Sequence, residues 1–420
     1  MLERIHLKNV GPAAEMKMDL APRLNLVTGD NGLGKSFLLD VAWWVLTRTW
    51  ARGMVVPKPR TKPTIEYAYT KKKPPSYHFE STYDPARARW TVKQSRPPIP
   101  GLILYAQVDG GFSVWDPARN YWTEDAAERP NAFHFKPDEV WRGNEHCKGL
   151  LDDWALWQAG KADSFRVLER VLDVLAPTPN EPLVPGDLRK LTVGDPQRYP
   201  TLRMPYGEDV PVIFASAGMR RVVALAYLLT WAWQEHLESA ALRNDAPTRE
   251  IVFLVDEIEA HLHPEWQRRI VPAVLNVMDA LTGSHGTRVQ LVAATHSPLV
   301  LASVESSFDP DADAWFDLDL VDDHVELRRR PYIRRGEVGN WLASDAFGLK
   351  QPRSVEGEQA IDAAEALMRA DAPSVEAICA ADAALRKAGL PDIDTFWVRW
   401  RYFRDRHVHA VSAGAERGSK

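Results

Sequence analysis

Cysteine is almost absent: Cys147 and Cys379 are the only two in 420 residues. Two thiols build neither a disulfide framework nor a thiolate metal cluster, and their scarcity points to a reducing cytoplasm. Long apolar runs are missing too. The longest, Val222 to Trp233, contains Thr230 and is far too short to span a bilayer. The opening residues MLERIHLKN alternate charged and apolar side chains, which excludes a signal peptide. There is no excess of positive charge. The formal net charge is −5, so any nucleic-acid contact has to come from local basic patches. Internal repeats and sustained heptads are lacking, which excludes long coiled-coil arms. What remains is an ordinary globular composition, 45% hydrophobic and 26% charged, in a chain long enough for a large core and one to three domains.

Five regions follow from changes in pattern. In residues 1–50, Glu3 to Val10 and Arg23 to Thr28 read as strands. Phe37 to Trp50 is apolar on most faces, as expected of a helix buried beneath a sheet. Residues 51–135 are rich in proline, with short apolar runs, LILYAQV and FSVWDP, separated by Asp-Gly-Gly. That hairpin signal predicts an antiparallel β insertion. Residues 136–200 give a helical lobe to about 178 and a proline-rich linker from 176. Residues 201–345 return to an α/β pattern, with a long helix after Ser216, a strand at 251–255 and a helix opened by Pro264 and bent by Pro272. A strand at Val289 to Ala294 and alternating residues at 314–335 complete it. Residues 346–420 form a helical tail, with a stop at Gly389 and Pro391.

The chemistry is concentrated at strand ends. Ile251 to Val255 is a buried-strand pattern that runs straight into Asp256 and Glu257. Solubility does not ask for two adjacent acids there. A metal–phosphate site does, because one carboxylate can hold Mg²⁺ while its neighbour deprotonates a water. The decisive partner is Gly29-Asp30-Asn31-Gly32-Leu33-Gly34-Lys35-Ser36, which fits G-x-x-x-x-G-K-[ST] between a predicted strand and a predicted helix. Its glycines let backbone N–H groups turn toward phosphate oxygens. Lys35 supplies a mobile positive charge, and the Ser36 hydroxyl can join Asp256 on Mg²⁺. Glu257 is then the candidate general base. His296, in Ala294-Thr295-His296-Ser297-Pro298, follows another apolar strand and is the candidate γ-phosphate contact. Ser216, in Ala215-Ser216-Ala217-Gly218-Met219-Arg220-Arg221, is a good N-cap. Gly218 permits close backbone approach, so this helix end can receive an anion.

Together these motifs resemble the ABC-type branch of AAA-family ATPases, in particular its SMC/RecF-like members and the ATPases related to overcoming-lysogenisation-defect nucleases. GDNGLGKS matches the Walker A form, placing Asp30, Asn31, Gly32, Gly34, Lys35 and Ser36 at the nucleotide. IVFLVDE matches Walker B, EAHLHP resembles the D-loop region, and THSP matches the switch-histidine loop. SAGMRR looks like a degenerate signature motif, with Ser216 and Gly218 at the Ser and second Gly of LSGGQ and with Ala217 and Met219 as departures. The order and spacing hold over roughly 1–50 and 200–300.

The resemblance implies a P-loop ABC-type ATPase core of α/β class, carrying an antiparallel β arm, a helical lobe and a small C-terminal helical tail. It implies ATP and Mg²⁺ as cofactors and a homodimer in which the signature of one subunit closes over ATP on its partner. Glu259 to Pro264 would line that boundary, and Gln107 or Gln158 would serve as the glutamine-loop residue. It further implies kinship with ATPase subunits of anti-phage systems such as Septu, which act with a separately encoded effector, an HNH-type nuclease or toxin. A RecF-like repair ATPase without effector is the alternative, and an ATPase with intrinsic nuclease activity another. For the nuclease, Glu356 with Asp392 and Asp394 offers the acids, but the tail is short for that metal-binding fold. The aromatic and basic segment Thr395 to Phe403 is either a docking surface or packing for the tail. Lys71–Lys73, Arg328–Arg330 and Arg334-Arg335 are the candidate DNA-facing charges.

Overall fold

The computed structural model describes residues 1–58, 61–70, 77–92, 101–120, 131–178, 181–283 and 287–417, with side chains to 407. Lys71–Lys73 lie outside the described residues. The chain divides into two compact units, Met1–Val338 and Gly339–Lys420.

The first unit is built on two sheets. Strands β1 (Leu2–Lys8) and β2 (Glu15–Asp19) precede β3 (Leu24–Gly29) and helix α1 (Lys35–Thr47). Strands β4 (Thr64–Tyr69), β5 (Tyr77–Asp84) and β6 (Arg89–Trp90) join β1 and β2 in an antiparallel sheet of order β2-β1-β4-β5-β6. Strands β7 (Leu102–Ala106), β8 (Phe112–Trp115) and β9 (Phe133–Phe135) belong elsewhere. They take one edge of an eight-stranded sheet, β16-β15-β3-β14-β13-β7-β8-β9. Its other members are β13 (Glu250–Val255), β14 (Arg288–Ala294), β15 (Asp313–Val321) and β16 (His324–Arg330). The run β15-β3-β14-β13-β7 is parallel, and β16, β8 and β9 add antiparallel edges.

Residues 51–135 therefore do not form one insertion. Every residue of LILYA in β7 is buried. A strand with no wettable face needs cover on both sides, which a place within a parallel sheet provides. The Asp-Gly-Gly hairpin itself forms between β7 and β8 as expected. Gly110 takes φ +93°, and Asp109 Oδ1 accepts from the Gly111 N–H at 2.8 Å.

Helix α1 is buried on all sides because it lies between the two sheets. Leu39, Trp43 and Leu46 share one core with Ile5 and Ile65 of the antiparallel sheet and with Tyr105, Leu254 and Val292 of the parallel one. The helical lobe comprises α2 (Pro137–Arg142), α3 (Leu150–Ala159) and α4 (Asp163–Leu175). The proline-rich segment after it contributes β10 (Val184–Pro185) to a small sheet with β11 (Thr201–Arg203) and β12 (Asp209–Pro211). Helix α5 (Ala217–Leu242) packs with α4 and with a later helix, α7 (Ile270–Thr282). Pro272 does not bend a single helix. The chain instead breaks between α6 (Pro264–Gln267) and α7, leaving Pro272 in the first turn of α7, where its missing N–H has no intrahelical partner to lose. Helix α8 (Pro298–Ser303) follows β14.

After α9 (Val338–Leu342), the second unit is a three-helix packing of α10 (Val355–Arg369), α11 (Val375–Lys387) and α12 (Phe396–Arg417). Phe396, Trp397 and Trp400 are buried with Ile361, Ile378 and Leu385, so these aromatics close the tail's own core. Only Val398 and Tyr402 among the apolar and aromatic residues of 395–403 stay largely exposed. The compact unit starts a few residues before the boundary expected at 346.

Candidate functional site

The parallel sheet brings the candidate residues to one edge. The register aligns the ends of β3, β14, β13 and β7, and hydrogen bonds continue the alignment past the strands. Asp256 N–H donates to Ala106 O at 2.9 Å, Ile258 N–H to Ala294 O at 3.1 Å, and Thr295 N–H to Val27 O at 3.0 Å. The Gly29–Ser36 loop, Asp256-Glu257, His296 and Gln107 thus leave the sheet side by side, as open parallel sheets place their ligand sites.

The loop depends on glycine where the backbone turns. Gly34 caps α1 at φ +107°, and a Cβ there would stand 2.8 Å from Pro12 Cγ. Lys35 is 6% exposed. Its Nζ donates to Gly29 O at 2.7 Å and Asp30 O at 2.9 Å, across the loop it belongs to. Burial lowers its pKa, while Glu257 and Asp256 oppose that shift.

Asp256 is wholly buried, and neither carboxylate oxygen accepts a hydrogen bond of normal geometry. Burial raises its pKa; the Ser36 hydroxyl and the Arg52 guanidinium, 3.6 Å from Oδ2, pull the other way. An orphaned buried carboxylate beside a serine hydroxyl is a donor set that a hard divalent cation completes, so these residues fit Mg²⁺. Glu257 is the half-buried member of the pair. Its backbone takes φ +46°, and its Oε1 lies 3.6 Å from His296 Nε2. Glu259 supports that meeting, because its Oε1 accepts from the His296 N–H at 2.5 Å.

Ser216 caps α5 as expected, its Oγ accepting from Met219 N–H at 3.3 Å, and it remains exposed. Gly218 follows in the first turn of α5. It is buried, and a Cβ on it would come within 2.7 Å of His261 O and 3.0 Å of the Trp266 ring. Close approach is what this glycine permits, but the neighbour is the chain's own 257–266 segment. Of the two glutamines, Gln107 follows β7 directly beside Asp256. Gln158 sits on α3, held by Trp154 and by Gly186 O.

Two groups carried no sequence signal. Arg52 grips Asp40 through Nε at 3.0 Å and Nη2 at 2.8 Å, and meets Tyr105 Oη at 3.1 Å while facing Asp256. Arg221, visible only as the last letter of SAGMRR, turns inward to donate to Val108 O at 3.0 Å and Asp256 O at 3.2 Å. Nothing in a linear sequence says which way either guanidinium points. Within the run 328–330, Arg328 pairs with Glu326, and Arg330 with Asp317 and Asp319. In the tail, Arg353 and the Phe396 N–H occupy the Asp394 carboxylate.

A family model described as "AAA domain, putative AbiEii toxin, Type IV TA system" matches residues 118–302. The curated relatives include the "Retron Vc95 probable ATPase" of Vibrio cholerae serotype O1 biovar El Tor, 33% identical over 100 residues, which are 24% of this chain and 17% of the relative. They also include the Septu protein PtuA of Bacillus thuringiensis, 26% identical over 113 residues, 24% of each chain. The matches thus take in less than a quarter of these relatives' length. Among solved structures, the SMC head domain from Thermotoga maritima aligns with 79% of this chain and 99% of its own at 13% identity, with a TM-score of 0.41. The recombination mediator protein RecF aligns with 78% of this chain and 98% of its own at 12% identity, with a TM-score of 0.38. The chain resembles AAA-domain proteins, and a retron probable ATPase and a Septu protein are among its relatives.

Proposed function

We propose that this chain binds and hydrolyses ATP with Mg²⁺, pairs with a second copy around two ATP molecules, and serves antiviral defence by controlling a separately encoded effector, an HNH-type nuclease or a toxin. The observation that carries the ATPase reading is the meeting of Glu257 and His296 at 3.6 Å, on the sheet edge where Lys35 and the orphaned Asp256 carboxylate also stand. Lys35 balances phosphate charge, and loop N–H groups with the start of α1 hold the anion. Ser36 and Asp256 would hold Mg²⁺, which when bound neutralises charge on the phosphate oxygens. Glu257 Oε1, at the solvent side, takes the proton of the attacking water, and His296 Nε2 orients that carboxylate and faces the γ-phosphate.

The chain carries one copy of each motif, and Ser216 stands exposed at the end of a 26-residue helix. That is the disposition of a group offered to a nucleotide on another subunit. The effector part rests on the defence systems named for the relatives. Gln107 is our choice for the glutamine loop, because it adjoins Asp256. With two of the three arginines at 328–330 paired to acids, DNA contact is not needed for this reading.

Glu257→Gln tests the chemistry. Hydrolysis should fall about 10²–10⁴-fold, the range a general base contributes, while ATP stays bound and the dimer persists in light scattering. Unchanged turnover would refute Glu257 as the base. Purification from native cells with the products of neighbouring genes tests the effector; absence of any stable or ATP-dependent partner would remove it.

A further inference from the structure

We infer that Arg221 is a positioning residue that binds the backbone of the Asp256-Glu257 pair to α5, so that Ser216 and the general base move as one body. The inference deepens the ATPase reading and rests on it. Arg221 lies in the second turn of α5, and its guanidinium is aimed into the protein rather than along the helix surface. Nη1 donates to Val108 O at 3.0 Å; Nη2 lies 3.3 Å from Gln107 O, 3.2 Å from Asp256 O and 3.5 Å from Glu257 O. One planar cation therefore gathers carbonyls from the hairpin after β7 and from the strand end that carries both acids. Charge-assisted bonds to neutral carbonyls are strong, and the fork fixes direction as well as distance.

The backbone being held is one that needs holding. Glu257 is a non-glycine residue at φ +46°, a conformation that side chains rarely adopt and that persists only when its surroundings enforce it. A second contact ties the same segment to α5: Gly218 fits against His261 O with no room for a Cβ. On the far side the segment is fastened to the switch loop. His296 N–H donates to Glu259 Oε1 at 2.5 Å, Ser297 Oγ meets Gln267 Oε1 at 2.6 Å, and Gln267 Nε2 donates to Leu262 O at 2.9 Å. Residues 257–267 are thus clamped between α5 and His296. In the dimer, Ser216 serves the partner's ATP while Glu257 serves the chain's own. Arg221 is the link through which closure at one composite site orders the base of the other.

Arg221→Lys keeps the charge but replaces the fork with one ammonium, which cannot span four carbonyls. Arg221 touches no loop residue from 29 to 36, so binding of a fluorescent ATP analogue with Mg²⁺, and KM, should stay within about twofold. kcat should fall about tenfold or more, since misplacing a catalytic group by about 1 Å costs up to 10²-fold. Hydrogen–deuterium exchange gives a second measure. In wild type, Mg²⁺–ATP should slow residues 217–222 and 256–262 together; in Arg221→Lys the second segment should no longer follow the first. A kcat within twofold of wild type, a loss of ATP affinity matching the loss of kcat, or a global collapse of the melting temperature would overturn the assignment. If wild type hydrolyses nothing and Lys35→Ala changes nothing, the ATPase reading fails and this role with it. If wild type hydrolyses and Arg221→Lys is unaltered, this role alone fails.

Discussion

At Asp256 a cost to the fold meets a proposed role in the site. Its carboxylate is buried with neither oxygen in a hydrogen bond of normal geometry, Arg52 stands 3.6 Å from Oδ2, and burial raises its pKa above the ordinary value. The sign follows from linkage: a carboxyl whose folded pKa is raised is better accommodated protonated, so stability is lost as pH rises through that pKa. Near neutral pH the ionised side chain opposes folding until a cation joins it. Asp256→Asn should therefore raise the melting temperature in metal-free buffer at pH 7–8 by a few degrees at most, about 1 kcal/mol in a chain of this size. Arg52 keeps its grip on Asp40 in that variant. The extra stabilisation that wild type gains from Mg²⁺ and ATP should disappear. Differential scanning fluorimetry with and without Mg²⁺–ATP checks both; a lower metal-free melting temperature would contradict the strain assigned to Asp256. The motif residues themselves were legible, because a turn through positive φ and an acid pair closing an apolar strand leave marks in the sequence. Arg52 and Arg221 were not, since a guanidinium on a flexible stem takes its direction from what surrounds it.

At the scale of elements, the junction between α5 and the 257–266 segment sets the tolerance of the site. Gly218→Ala would place a methyl 2.7 Å from His261 O, and a backbone carbonyl cannot swing aside as a side chain can. Overpacking of this kind costs roughly 1–3 kcal/mol. The urea midpoint should fall with an unchanged slope, and hydrolysis should fall with it, because the displaced segment carries Glu257. An unaltered midpoint would mean that α5 packs more loosely there. The glycine was recognised for close approach in the sequence, but which group approaches was not, because that neighbour lies more than forty residues away in the chain. LILYA and Pro272 teach the same lesson. Apolar periodicity gives a strand and proline gives a discontinuity, yet sheet membership and the choice between bend and break are set by packing.

At the scale of the whole molecule, the proposed sites are shared between two chains, and that makes complementation possible. Ser216→Arg loses the cap of α5, a cost of about 1 kcal/mol at an exposed position, and should still fold and bind ATP through its intact loop, but it cannot close over a partner's nucleotide. Lys35→Ala loses its own ATP yet keeps its helix end. Each alone should be inactive. Their equimolar mixture should recover at most about a quarter of wild-type hydrolysis, because half of randomly formed dimers are mixed and each mixed dimer has one intact site. No recovery on mixing, with both variants folded, would argue against shared sites.

The sequence by itself determined the local patterns: the glycine-rich loop, the acid pair that ends an apolar strand, the histidine after its strand and the capped helix. Each of these is written in neighbouring residues, where backbone freedom, side-chain periodicity and hydrogen-bonding groups act over one or two turns. Only the tertiary structure decided that β7 enters the parallel sheet, that Gly218 meets a carbonyl, that the tail aromatics pack inward, and that Arg52 and Arg221 turn toward the acid pair. Those outcomes depend on which distant surfaces exclude water from one another and which buried carbonyls and carboxylates a cation can satisfy. Such choices are made between segments that are not neighbours in the chain, and no single stretch records them.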